Sequence, residues 1–217
     1  MDLSHQMAEL IGAIIGDGNI YKNRYVEISG DRNLDIDYYK NKLLPIIVKE
    51  LYYIPSIRTG SFGVRLRINN KKFTLFLNNL GIQSGRGKTY KVLIPNIICQ
   101  NWELSKSCIR GIIDTNGCLS FDKRKIYKTP YPRIILHLRN KKLCLQIYKL
   151  LLSKGFKPTL SKQVTKYGKA HTVYLNGKVQ VLKYIKDIGF SNSRHSKKGA
   201  LLLNDCLGSS VVVAPVS

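Results

Sequence analysis

The sequence predicts an α+β fold built from two αββαββα units related by a pseudo-twofold axis. The first observation behind this prediction is a repeat: residues 10–18 (LIGAIIGDG) recur 99 positions later as residues 109–117 (IRGIIDTNG). The second is that the same order of helix-like and strand-like patterns follows each copy. Together they indicate one structural unit that is used twice in a single chain.

The elements of the first unit follow in chain order from their hydrophobic periods. An apolar helical run ends at the Gly-Asp-Gly of residues 16–18, and the alternating segment YVEISG then predicts a half-buried antiparallel strand. The segment LDIDYYKNKLLPIIVKELYY has helical apolar spacing, with Pro45 as a kink or a helix boundary. A second alternating strand, GVRLRI, and a helix ending in glycine, KKFTLFLNNLG, complete the unit.

The second unit repeats this order with a strand RIILHLRN, a helix in KKLCLQIYKLLLSKG, a strand TVYLN and a helix GKVQVLKYIKDIG. One face of each sheet is expected to rest on helices, while the other carries polar and basic side chains into solvent. We predict a first unit at residues 1–84, a glycine-rich basic linker at 85–100, a second unit at 101–207 and a tail at 208–217 without an assigned role. Because both halves are in one chain, we predict a monomer without an obligate protein partner.

The repeated helices carry small residues four positions apart. Gly12 and Gly16 in the first copy correspond to Gly111 and Thr115 in the second. Small residues at this spacing let two helix backbones approach closely, so we expect the two motif helices to pack against each other at the axis. Asp17, which follows Gly16 directly, would then lie at the axis beside the edge of both sheets.

The charge of the chain favours a nucleic-acid partner. The 36 Lys and Arg residues exceed the 13 Asp and Glu residues by 23. An anionic membrane surface is the competing interpretation, but the basic residues lie mostly in strand-like segments, whereas membrane binding prefers a basic amphipathic helix. The chain has no apolar run long enough to span a membrane and no signal-peptide pattern at its start. Five cysteines without CxxC spacing argue against zinc and a disulfide framework, so we expect an intracellular protein of a prokaryotic cytoplasm or an organelle.

With these two motifs and this element order, residues 4–205 resemble a LAGLIDADG homing endonuclease of the single-chain, two-motif type. The resemblance implies that the two sheets form a saddle over the major groove of a long double-stranded DNA site. It also implies hydrolysis of phosphodiester bonds with divalent metal held where the motif helices end. Mg²⁺ or Mn²⁺ would support cleavage, and Ca²⁺ could occupy the site without it.

The resemblance assigns the site residues. Asp17 matches the acidic metal ligand of the family, and the backbone at Gly16 and its counterpart Thr115 would contribute further ligands. Arg139 in HLRNKK matches a basic residue that acts near the scissile phosphate, whereas no basic residue can be assigned in the first unit's ISGDRN. The departure is Asn116, which stands where the second motif of the family has an acid, and a neutral amide binds Mg²⁺ much more weakly than a carboxylate.

Three explanations of Asn116 stay open: an engineered Asp-to-Asn change, natural decay to a nickase or an inactive binder, or a relative that assists splicing as a maturase. We therefore predict a site-specific, intron- or intein-type DNA endonuclease that is impaired or only nicks. The alternative is a LAGLIDADG RNA maturase or another non-cleaving nucleic-acid-binding protein. Restoring the acid by Asn116→Asp is expected to raise cleavage.

DNA contacts are expected from the outward faces of the strands, because arginine and glutamine suit base edges and lysine suits phosphate. The candidates of the first unit are Tyr21, Lys22, Arg24, Tyr25, Glu27, Arg58, Ser61, Arg65 and Arg67. Those of the second unit are Lys123, Lys125, Arg133, His137, Lys162, Gln163, Lys166, Tyr167, His171 and Tyr174. Three further groups are predicted to be structural: Asp114 as a packing or capping group, Asp35 and Asp37 as acids near a helix start, and the tyrosines 38, 39, 52 and 53 as residues of the core or its margin.

Overall fold

The computed structural model describes residues 3–61, 63–83, 88–124, 126, 130–165 and 168–208. The first unit comprises α1 (His5–Asp17), β1 (Gly18–Tyr21), β2 (Tyr25–Gly30), α2 (Ile36–Tyr38), a π-helical turn (Tyr39–Leu43), α3 (Leu44–Leu51), β3 (Ser56–Gly60), β4 (Gly63–Ile68) and α4 (Lys71–Asn79). Two short helices, α5 (Lys88–Lys91) and α6 (Asn96–Cys99), follow within the stretch predicted as a linker.

The second unit comprises α7 (Trp102–Asn116), β5 (Gly117–Asp122), β6 (Tyr131–Leu138), α8 (Lys141–Ser153), β7 (Thr159–Thr165), β8 (Gly168–Asn176), α9 (Gly177–Asp187) and α10 (Ser193–Gly208). Each unit therefore contains the predicted order of one helix, two strands, a helical segment, two strands and a helix. The last helix, α10, has no counterpart in that prediction. None of the described helices combines the length and apolarity that crossing a membrane requires.

Two four-stranded antiparallel sheets have the same topology, β1-β2-β4-β3 and β5-β6-β8-β7. Gly18 pairs with Ile28 in the first sheet, and the repeat-equivalent Gly117 pairs with Leu136 in the second. Ile28 pairs in turn with Leu66, and Leu136 pairs with Val173. Ile28, Leu66, Leu136 and Val173 are buried, and the residues that alternate with them along each strand point to the opposite face, as the alternating patterns predicted.

Helices α1 and α7 pack against each other at the centre of the molecule through their glycines. A side-chain carbon on Gly12 would collide with the carbonyl of Cys108, and one on Gly111 would collide with the carbonyl of Glu9. Gly111 lies 99 positions after Gly12 and Cys108 lies 99 positions after Glu9, so the two contacts are the same contact seen from each unit. The pseudo-twofold axis thus runs between these helices, as the small-residue spacing predicted.

The long helical segment of the first unit is interrupted where the sequence predicted a kink. Pro45 lies in the first turn of α3, directly after the π-helical turn. Tyr38 and Tyr39 are buried on this segment, as predicted. Tyr52 is not a core residue: it ends α3 with a positive φ of 49° and is 94% exposed, because a residue in this left-handed conformation at the helix end turns away from the packed face.

Candidate metal centre and nucleic-acid interface

The two motif helices end at the residues predicted to bind metal. α1 ends at Asp17 and α7 at Asn116, and in each case the next residue is a glycine that opens a strand. A side chain on Gly18 would collide with Ile14, and one on Gly117 would collide with Ile113. Glycine is therefore needed for the chain to turn from helix into strand within one residue, and that turn places the residue before it at the rim of the sheet.

The two motifs touch at this rim. An ideal Cβ on Gly16 would lie 2.6 Å from the Oδ1 atom of Asn116 and would also overlap the hydroxyl of Thr115. Gly16 and Thr115 occupy the same position of the repeat, so their contact lies on the pseudo-twofold axis. The Thr115 hydroxyl is close to the carbonyls of Gly111 and Ile112, at 3.0 and 3.1 Å, so it is held within its own helix.

The donor set at this rim is suited to a divalent ion that keeps solvent or substrate ligands. Mg²⁺ takes one or two carboxylates and completes its shell with water and phosphate oxygens. Asp17 offers a carboxylate and Asn116 offers a neutral amide oxygen. In the part of the chain that the structure describes, no group of three or more His, Cys, Asp or Glu residues forms a protein cage for a metal. Asp17 of the first motif is thus a better ligand than Asn116 of the second for a divalent ion that also binds a phosphate oxygen.

A hydrogen-bonded group that the sequence did not reveal lies behind the end of α7. Asn192 donates from Nδ2 to Asp35 Oδ1 at 2.8 Å and lies 3.1 Å from the carbonyl of Asp114. Arg194 pairs with Asp35 at 3.2 Å and donates to the carbonyls of Asp114 and Thr115 at 3.2 and 3.0 Å. Residues before and within α10 therefore connect the end of the second motif helix to the first unit.

Asp35 is a structural residue at the start of α2, as predicted, but its side chain bonds to groups other than the helix. Its side chain makes no hydrogen bond that caps α2. It is buried and accepts hydrogen bonds from the Asp31 amide at 2.8 Å and from Asn192. Asp35 directly precedes α2, as the sequence indicated, and its carboxylate connects the two units through Asn192, 157 positions away.

Asp114, the acid two residues before Asn116, is a buried packing group. Its Oδ2 accepts a hydrogen bond from the Ser191 amide at 2.7 Å. Burial, and secondarily the charge of Glu9, raises the pKa of Asp114 to about 8. Glu9 itself pairs with Arg110 across the two units at 2.7 Å. A carboxyl group that stays largely protonated near neutral pH and is fully buried is not suited to binding metal.

The outward face of the first sheet is a continuous polar and aromatic surface. Tyr21 stacks on Tyr25 with ring centroids 5.1 Å apart, and the Arg67 guanidinium lies 4.3 Å from the Tyr25 ring centroid. Arg67 also pairs with Glu27 at 2.7 Å. Arg58 and Arg65 pair in register on the same face and are exposed, and the exposed turn positions are Lys22, Arg24 and Ser61.

The second sheet presents a different set of side chains at the equivalent positions. His137 Nδ1 lies 2.7 Å from the Thr172 hydroxyl, and the His137 ring meets Tyr174 edge-on. Arg133 lies 3.3 Å from Asp122, and Lys123 is exposed beyond the end of β5. Lys125, Lys166 and Tyr167 lie outside the described residues, as does the side chain of Gln163.

Comparison with solved structures identifies this arrangement. No protein-family model and no curated protein matches the sequence. I-DmoI bound to DNA and Ca is 21% identical over 93% of this chain and 98% of that chain, with a TM-score of 0.62. The N-terminal LAGLIDADG domain of DUF199/WhiA is 13% identical over 87% of this chain and 83% of that chain, with a TM-score of 0.59. I-DmoI is a homing endonuclease with two LAGLIDADG motifs in a single chain. This chain has the two-motif LAGLIDADG fold.

The LAGLIDADG framework shows which residue of the first unit corresponds to Arg139. Because Ile28 and Leu136 occupy equivalent register positions, the residue three places later is Asp31 in the first unit and Arg139 in the second. Both are exposed just past the end of their strand. Hydrogen bonds from the Leu34 and Asn33 amides lower the pKa of Asp31, so it is an anion where the other unit has a cation.

Two predicted contact residues lie on the other face of the LAGLIDADG sheet. Lys162 pairs with His171, and this pair shares its face with Leu138 rather than with His137. Both residues line a cavity together with Cys144 and Leu145 of α8. The prediction that they project from the outward face was wrong. The register of strand pairing decides which face a side chain occupies, and the sequence pattern of a single strand does not define that register.

Proposed function

We propose that this protein is a metal-dependent, site-specific DNA endonuclease whose second motif is impaired by Asn116, so that it nicks one strand or cleaves slowly. The observation that carries the proposal is the contact of the two motif ends at the pseudo-twofold axis, where Gly16, the residue before Asp17, lies against Thr115 and Asn116. This contact lies between two sheets with polar and basic outward faces. The likeness to I-DmoI bound to DNA with Ca and with Mn supports the partner and the class of metal. A single chain that contains both units supports a monomer.

In the proposed reaction, different residues of this chain have different roles. A divalent ion at the site would supply a nucleophilic hydroxide and stabilise the charge that develops on the phosphate. Asp17, with the backbone at Gly16, would hold the ion on the first-motif side. Arg139 would contact the phosphate backbone as a fixed positive charge, and the outward side chains of both sheets would position the duplex.

A non-cleaving nucleic-acid-binding protein is the second candidate, and Asn116 is the observation that favours it. The two candidates differ in one measurable property. An impaired enzyme retains metal-dependent strand cleavage that requires Asp17, whereas a binding protein forms the same complex and leaves both strands intact.

The test begins with selection of the DNA target from a random duplex library, followed by incubation of a supercoiled plasmid that carries the selected site with Mg²⁺ or Mn²⁺. We expect slow nicking without efficient linear product from the protein as it stands. Asn116→Asp should raise the rate of double-strand cleavage by ~10² or more, since it restores an anionic ligand at the scissile phosphates.

Asp17→Asn should abolish cleavage in both backgrounds while leaving DNA affinity nearly unchanged. The matched control is Asp37→Asn, the same isosteric change at an exposed acid of α2. Cleavage that survives Asp17→Asn would contradict the assignment, and intact plasmid with every variant would establish the non-cleaving alternative.

A further inference from the structure

Glu27 and Arg67 form a close ion pair in the middle of the outward face of the first sheet. The two residues are cross-strand partners on the central strands β2 and β4. The Nε and Nη2 atoms of Arg67 both donate to Oε2 of Glu27, at 2.9 and 2.7 Å. The centroid of the Tyr25 ring lies 4.3 Å from the central carbon of the same guanidinium. The acid and the ring therefore hold the guanidinium in one orientation.

This arrangement leaves one edge of the Arg67 guanidinium unused by Glu27. A guanidinium carries five N–H donors in a planar fork, and Glu27 accepts from Nε and from Nη2. The donors that Glu27 does not take lie on Nη1 and Nη2, at the end of a side chain that is 27% exposed. Parallel donors on two neighbouring nitrogens match the O6 and N7 acceptors of guanine in the major groove.

Glu27 differs from the arginines around it in what it can offer to DNA. Its Oε2 atom is already bound by Arg67, and its Oε1 atom lies 3.9 Å from Nη1 of Arg65. A carboxylate that faces DNA repels the phosphates, and these two arginines offset that charge. Glu27 is therefore suited to orienting an arginine rather than to accepting a hydrogen bond from a cytosine, the base contact that its residue type alone would predict.

We propose that Arg67 reads a guanine of the DNA target and that Glu27 is its positioning residue. The inference rests on the DNA-binding part of the proposed function, names one base contact at that interface, and does not depend on cleavage. A guanidinium that is already oriented in the free protein loses less conformational freedom when it meets the base. Discrimination for guanine then depends on both residues, whereas affinity for DNA of any sequence depends on net charge.

The test compares base preference with general affinity for DNA. The duplex selected from a random library is varied one base pair at a time, and its affinity for the full chain is measured by fluorescence anisotropy in EDTA, so that metal-dependent cleavage cannot proceed. Arg67→Lys keeps the charge but loses the planar fork, so it should reduce the preference for guanine at one base pair at least about fivefold. Arg65→Lys, the same change at a 60% exposed arginine of the same strand, is the matched control and should leave the preference at that base pair unchanged.

Glu27→Ala separates positioning from other roles of the acid. It should reduce the preference for guanine at the same base pair at least about fivefold, while affinity for a random-sequence duplex rises because a negative charge is lost. Glu27→Gln keeps an acceptor oxygen and should retain part of the preference. If Glu27→Ala does not fold by circular dichroism, Glu27→Gln provides the comparison, with a smaller loss at the same base pair.

Unchanged guanine preference in Arg67→Lys would overturn the inference. It would also be overturned if Glu27→Ala changed the preference at a different base pair, as direct contact of Glu27 with a base would produce. A third contrary result is a Glu27→Ala protein that unfolds at lower urea concentration but keeps every base preference, as expected of a pair that serves only stability.

Failure of the inference differs from failure of the proposed function. If the library yields no enriched duplex, sequence-specific DNA recognition is absent and both fail. If a duplex is enriched and the variants keep its base preferences, only the inference fails. If the plasmid stays intact with every variant while the preferences change as described, only the nuclease assignment fails.

Discussion

His195 is a buried residue that titrates far from its ordinary range. Its Nε2 accepts a hydrogen bond from the Nε of Arg194 at 3.0 Å, and the Leu119 amide nitrogen lies 3.5 Å from its Nδ1. Burial, with the charges of Arg194 and Lys198 as smaller causes, lowers the pKa of His195 to about 3 from an ordinary value of 6.5. The folded protein therefore holds this ring neutral at pH values where the unfolded chain protonates it.

This shift predicts acid sensitivity. Below the ordinary pKa the unfolded state binds a proton that the folded state excludes, so the free energy of unfolding falls as the pH drops from about 6.5 towards 3, by up to about 1.4 kcal/mol per pH unit. Urea unfolding on either side of pH 6.5 measures it. His195→Gln should reduce this pH dependence, and His5→Gln, at an exposed histidine, should leave it unchanged. An equal slope in the wild-type chain and in His195→Gln would contradict the prediction.

At the scale of elements, the packing of α1 on α7 depends on two backbone contacts that leave no room for a side chain. Gly12→Ala should destabilise the protein by about 1–3 kcal/mol or more, because the added methyl meets the Cys108 backbone rather than a movable side chain. By the pseudo-symmetry, Gly111→Ala should have a similar effect through Glu9.

The control for this prediction is Gly60→Ala in β3, where an added carbon would meet nothing within 4 Å. Urea unfolding midpoints of the three variants provide the measurement. If Gly12→Ala unfolds at the same urea concentration as Gly60→Ala, the helix pair does not pack as closely as described.

At the scale of the whole molecule, charge is distributed unequally along the chain. Residues 1–100 carry 14 basic and 8 acidic groups, a net charge of +6, and residues 101–217 carry 22 and 5, a net charge of +17. The second half should therefore contribute most of the non-specific affinity for DNA. Because every neutralised phosphate releases counterions, that affinity should fall steeply with salt.

A single substitution tests this account. Lys123→Gln, at an exposed position beyond β5, should reduce the slope of log affinity against log salt for a random-sequence duplex by about 0.9. Lys49→Gln, at an exposed position of α3 on the helical side, should leave the slope unchanged. Equal slopes for the two variants would show that the end of β5 does not contact phosphate.

The sequence by itself determined the repeat, the order of elements in both units, the central helix pair and the identity of Asp17 and Asn116 as counterparts. These features depend on local hydrophobic periodicity and on glycines whose four-residue spacing allows two helices to pack closely. The tertiary structure alone decided which face Lys162 and His171 occupy, that Asp31 is the counterpart of Arg139, and that Asn192 and Arg194 bond to Asp35. Strand register sets the first two, and the third joins residues about 160 positions apart, so no pattern within a single element contains that information.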